Sequence, residues 1–280
     1  FRPSNWVGML KESWPFALTT LFVALYNRVD IIMLSKLSTI ADIGKYSASF
    51  RLTESLSIIP ASLTMVLYPL MSKYFKESRE VLINIHKLAF RYIVLLFVPI
   101  AIGATLLASR IMFWVYGNEF LGNDVYLTLG ILSFSSLFLF LNLISTNLLN
   151  AVFLEKRVMA VILLGILFNV LTNFYFIPKY GFVGAAFTTL LTELLIFFIF
   201  IAIIFRKIYK PDFRVFIRPL IAGSVMGFAV MNLLFINIMP LIAIGGAIYF
   251  LVLFTIGGFD ENDKQIFRKL LINAKGILQK

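Results

Sequence analysis

Five ionisable side chains fall within stretches apolar enough to cross a bilayer: Arg28, Asp30, Arg51, Glu54 and Glu193. A charge at the centre of a spanning helix costs roughly 2.5–3.5 kcal/mol on insertion scales, so such groups face protein or a watery cavity and mark functional paths. Arg51 and, more weakly, Arg28 are candidate anion-binding residues, because a planar guanidinium can donate two hydrogen bonds at once to a phosphate. Asp30, Glu54 and Glu193 suit ion coupling or salt bridges. Measured inward from the outer helix ends, Asp30 lies about 9 Å deep, Arg51 about 10 Å, Arg28 about 12 Å and Glu54 about 15 Å. An Asp30–Arg51 pair is therefore within reach. Ser47, Arg51, Glu54, Ser55 and Ser62 form one polar stripe, which must face protein or water rather than lipid. Glu193 and Asn169 share a depth, and Asn169 with Asn173 is placed to hydrogen-bond a protonated Glu193. Asn142, Thr146 and Asn150 recur every four residues. Ser47, Ser55, Ser62, Asn142 and Asn169 are the candidate cavity lining. The competing reading is a salt-bridge cluster that only binds helices together.

These side chains need helices to carry them. Of the 280 residues, 60% are hydrophobic and 14% charged, and the mean hydropathy is +0.94. Soluble domains average about 45–50% apolar and about 25% charged. The chain reads as an all-α, polytopic membrane helix bundle. Eight stretches approach the roughly 20 apolar residues of a span: residues 14–34, 46–70, 88–107, 125–152, 159–177, 182–205, 216–239 and 240–259. Nineteen of the 25 Lys and Arg fall on the side of the two termini and four on the opposite side. The richer side is expected to be cytoplasmic, which places the chain in the cytoplasmic (plasma) membrane with both ends inside. Residues 260–280 alternate apolar and basic positions as an amphipathic helix lying on that surface does. Beginning at Phe1, the chain reads as part of a longer one.

The net charge of +11 is thus an orientation signal rather than a footprint for nucleic acid. Without cysteine, no disulfide or thiolate metal site is available. The one histidine, His86, reads as a solvated residue of a basic loop. No metal cluster, nucleophile motif or phosphate-cradling loop is visible. The expectation is no enzyme, no metal and no cofactor, with coupling to H+ or Na+ left open.

Three stretches carry a resemblance. "RVDIIMLSKLSTIADIGKYSASFRLTESLSIIPASLTMVLYPLMSKYF" contains Asp30 before an apolar run, then Gly44, Tyr46, Pro60 and Pro69; "FWVYGNEF" and "NVLTNFYFIPKYGFVGAAFTTLLTELL" follow. Together they resemble polysaccharide (O-antigen-type) flippases of the multidrug/oligosaccharidyl-lipid/polysaccharide exporter superfamily. Two departures stand out: Asn118 replaces a family Glu, and "NAVFLEKR" lacks a Gly before its basic loop. The resemblance implies the second six-helix lobe (residues 1–205), two trailing helices (206–259) and the cytoplasmic tail (260–280). It further implies membrane lipid and a polyprenyl-diphosphate-linked saccharide as partners, an N-terminal lobe missing from this chain, and alternating access, with Arg51 and Arg28 near the diphosphate. An ion-coupled multidrug exporter and a peptidoglycan-precursor flippase are the alternatives, and a non-transporting scaffold is a third.

Overall fold

The computed structural model describes Tyr26 and residues 28–259, and every regular element among them is helical. In chain order these are α1 (Val29–Leu37), α2 (Ile40–Ser55), α3 (Ile58–Glu77), α4 (Arg79–Leu106), α5 (Ala108–Tyr116), α6 (Asn123–Ala151), α7 (Glu155–Lys207), α8 (Ile217–Asn232) and α9 (Ile238–Thr255). The all-α membrane bundle expected from composition is what forms. Residues up to Pro211 make one compact unit and residues from Asp212 another.

Not all of the eight expected spans are counted among the described residues. Among the described residues five helices are long and apolar enough to cross a membrane, or six when α2 and α3, bent by 42° at their junction, count as one. Two facts account for much of the shortfall. The stretch 14–34 lies mostly outside the described residues, as does the amphipathic tail. The expected fifth and sixth spans are both contained in α7, whose 53 residues would extend about 80 Å if straight, far beyond a bilayer's roughly 30 Å core. It is not straight. Gly181 takes φ 55° and ψ −136°, open only to glycine, and α7 folds back as a hairpin. Gly184 lies so close to the Phe176 carbonyl that a Cβ would sit 2.4 Å from its oxygen. Further from the turn, Thr188 reaches Asn173, and Gly165 meets Ile196.

In the first unit α6 packs against both arms of α7, α4 and α3, and α1 lies on α7. Two apolar clusters result. One gathers Leu34, Tyr46, Leu129, Ile177 and Phe182, the other Met71, Leu82, Leu148, Val158 and Phe200. Along α6 and both arms of α7, the stretches between the clusters hold the buried polar residues Asn142, Asn169, Asn173, Thr188 and Glu193. Hydroxyls elsewhere in α6 cost little, since Ser133, Ser136 and Ser145 each donate to the carbonyl four residues earlier at 2.7–2.9 Å. In the second unit α8 buries Gly223, Met226, Gly227 and Val230, and α9 buries Leu241, Gly245, Tyr249 and Leu253. A Cβ on Gly245 would lie 3.1 Å from Val230, so the glycine sets that approach.

Candidate functional site

Between the two apolar clusters lies a cavity of about 170 Å3 whose lining includes Tyr26, Asp30, Thr53, Glu54, Asn169, Thr189 and Glu193. Asp30 is 8% exposed. One of its carboxylate oxygens accepts from the Tyr46 phenol at 2.8 Å and the Thr189 hydroxyl at 2.6 Å. The other accepts from the Asn173 amide at 2.8 Å. Asn173 in turn donates to Asn169 at 2.8 Å and accepts from Thr188. Four helical segments thus converge on one carboxylate: α1, α2 and the two arms of α7. The Thr189 hydroxyl also lies 2.9 Å from the Ala185 carbonyl, and its single proton can serve only one acceptor at a time.

Glu193 is 3% exposed, one helical turn from Thr189. Its carboxylate accepts from the Tyr26 phenol at 2.5 Å and from the Asn142 amide at 2.8 Å. The same amide also donates to the Glu193 backbone carbonyl at 3.0 Å. The Asn142 side-chain oxygen is buried without a hydrogen-bond partner. Glu54 is exposed but lines the same cavity. Among the described residues the lining carries three carboxyl groups and no Lys or Arg. Hydroxyls complete it: Thr53 and Ser136 donate to their own helix at 2.9 Å, which leaves oxygen lone pairs uncommitted.

The sequence candidates therefore separate. Asp30, Glu54, Glu193 and Asn169 come together in the cavity, and Asn142 supports it from behind. Arg51 and Arg28 are exposed and do not line it. Asp30 is held by neutral donors, not by Arg51. Glu193 takes Asn142 as partner, not Asn169 or Asn173, because Asn173 is drawn to Asp30. Ser47 is half-buried, and Ser55 and Ser62 are exposed; the last two donate to Leu52 and Ile58 carbonyls at 2.7 Å. The α2–α3 bend interrupts the single stripe on which the five polar residues were placed. Tyr46 and Thr189 were not singled out as site residues, although the i, i+4 spacing of Thr189 and Glu193 could have pointed to the latter. His86 corrects another expectation. It is 0% exposed, because α4 begins at Arg79 and carries it inside, where its Nδ1 meets the Tyr209 hydroxyl at 2.8 Å.

Residues 1–75 match the family model described as polysaccharide biosynthesis protein. The fold resembles the lipid II flippase MurJ in its inward closed conformation, with a TM-score of 0.73, 16% identity, and coverage of 97% of this chain and 57% of that one. The resemblance to the polysaccharide flippase family is borne out by the match over residues 1–75, and the fold agrees with it. An uncharacterised membrane protein of Methanocaldococcus jannaschii is 29% identical over 136 residues, 48% of this chain and 26% of that protein. The chain spans little more than half the length of the solved flippase, and its match covers about a quarter of the archaeal relative. It is a multi-pass membrane protein, and the acid-lined cavity lies within its first unit.

Proposed function

We propose that this chain is one lobe of a transporter that flips a polyprenyl-diphosphate-linked saccharide across the cytoplasmic membrane by alternating access, in company with an N-terminal lobe. Transport, not catalysis, is the activity proposed. The observation that carries the reading is a division of charge on a flippase-type fold: Asp30 and Glu193 are buried, whereas Arg51 and Arg28 are exposed. A diphosphate cannot be drawn into a pocket of three carboxyl groups. It suits Arg51 and Arg28, which are exposed and present paired donors to phosphate oxygens. Hydrogen bonds to a charged group are each worth about 1.5–3 kcal/mol. In a full-length protein, Arg51→Ala should therefore cut surface glycan output at least about tenfold and raise lipid-linked precursor. Unchanged glycan and precursor levels would remove the arginine's role.

The cavity is proposed as the coupling site for H+ or Na+. Asp30, Asn169 and Thr189, which line it, offer oxygens to a cation, and the buried Glu193 carboxyl offers a place for a proton. Because every cavity acid lacks a basic neighbour in the lining, a second reading is favoured too: an ion-coupled drug exporter. Asp30→Asn and Glu193→Gln keep size and remove charge. Under the flippase reading they abolish ion-dependent glycan export and leave drug tolerance unaltered; loss of drug efflux with normal glycan export supports the exporter. A peptidoglycan-precursor flippase fits the same geometry, and complementation of each pathway separates the two lipids.

A further inference from the structure

At the basic end of the first unit, away from the acid-lined cavity, the α3–α4 junction, the α6–α7 turn and the C-terminal end of α7 enclose a cleft of about 240 Å3. Its walls are apolar, among them Phe75, Leu82, Leu154 and Ile208, and two cations border it, Arg79 and Lys207. Arg79 donates to the Lys207 and Ile208 carbonyls at 3.1 and 3.0 Å. Those carbonyls belong to the last residue of α7 and to its C-cap, so the arginine neutralises the negative pole that would otherwise repel an anion there. Its remaining N–H groups and the exposed Lys207 ammonium stay available. Beside the cleft Phe153 holds φ 60°, a conformation rare outside glycine, and remains 68% exposed, with its ring edge-to-face on Phe75 at 5.7 Å.

We propose that this cleft binds the phosphate and upper acyl region of an anionic glycerophospholipid from the leaflet on the basic side. The chemistry selects an amphiphile: cations for a phosphodiester, five apolar side chains for the carbons below it. The size agrees. Sites that enclose a whole small molecule measure about 300–1,000 Å3, and this cleft needs to take only part of one. The exposed Tyr68 lies on the Phe75 face of α3 two turns back, the course a chain takes into the bilayer. Phe153, on its left-handed turn, closes the aromatic edge.

The test is native mass spectrometry of the purified 280-residue chain loaded with phosphatidylglycerol or phosphatidylcholine. Phosphatidylglycerol is retained in preference. Lys207→Glu lowers its retention about fivefold or more, the weight of one charge reversed near a phosphate. Lys156→Glu, on the same basic end outside the cleft, changes it by less than about twofold. Leu154→Trp fills the space without altering charge and also lowers retention, and soluble glycerol phosphate fails to displace the lipid. Equal retention of the two lipids, equal losses in Lys207→Glu and Lys156→Glu, or displacement by glycerol phosphate would each overturn the proposal.

Discussion

Asp30 and His86 show two ways of burying a polar group. Asp30 has three donors and is fully answered, so its burial costs little beyond desolvation. His86 is answered at Nδ1 alone, and its Nε2 is buried without a partner. Tyr209→Phe should therefore destabilise by about 1–3 kcal/mol, while the His86→Phe/Tyr209→Phe double variant loses less than the sum of the singles, read from thermal unfolding in detergent. Tyr209 lies beyond the end of α7, and burial pushes its phenol up from 10.0 to about 12. A raised value favours the neutral form in the folded state, so that contribution is present below pH 10 and is lost as pH rises through about 12. The phenylalanine variant should lack this alkaline dependence. What the sequence disclosed at individual positions follows from cost. Asp30, Glu193 and Asn169 stand out because apolar surroundings penalise them. Tyr46 and Thr189 do not, because a hydroxyl can satisfy itself on its own helix and so carries no signal of its distant partner.

The hairpin in α7 is the element on which the cavity most depends, since it sets Asn173 against Thr188 and brings both arms to Asp30. Gly184→Val places carbon against the Phe176 backbone and should cost about 1–3 kcal/mol or more, with a lower Tm and loss of any ion-induced stabilisation. Gly246→Ala is the contrasting case: nothing lies within 4 Å of its Cβ position, and about 0.5–1 kcal/mol of stabilisation is expected in a helix interior. The turn was legible as a span boundary at "IPKYGFVG", where proline and glycine punctuate two apolar runs. The break between α2 and α3 was not. Ser55, Leu56 and Ser57 contain no proline or glycine, and hydropathy stays continuous across them. Polar positions counted on one ideal helix therefore drifted off the real one.

As a folded body the chain presents Arg28, Arg51 and Glu54 exposed on helices that belong in a bilayer, and lipid does not satisfy such groups. Another protein surface or water must meet them, which agrees with the lobe reading. The purified chain reconstituted alone should not flip lipid-linked saccharide; a fluorescent-lipid assay showing flipping by the 280 residues would contradict it. Class and helical character were written in composition, and the basic asymmetry carried the expected orientation. The inward position of Asp30 and Glu193 relative to the arginines was not, because helix-wheel angles do not say which neighbour occupies each side. If the cavity serves as the proposed coupling site, that arrangement governs how a cation is admitted. Where an arginine clasps a carboxylate, an incoming ion must first evict it. At Asp30 no such occupant stands in the way, and a hydroxyl that turns toward Ala185 clears a lone pair within picoseconds to nanoseconds. Entry is then paced by the opening of the bundle, and the carboxylate itself adds no delay.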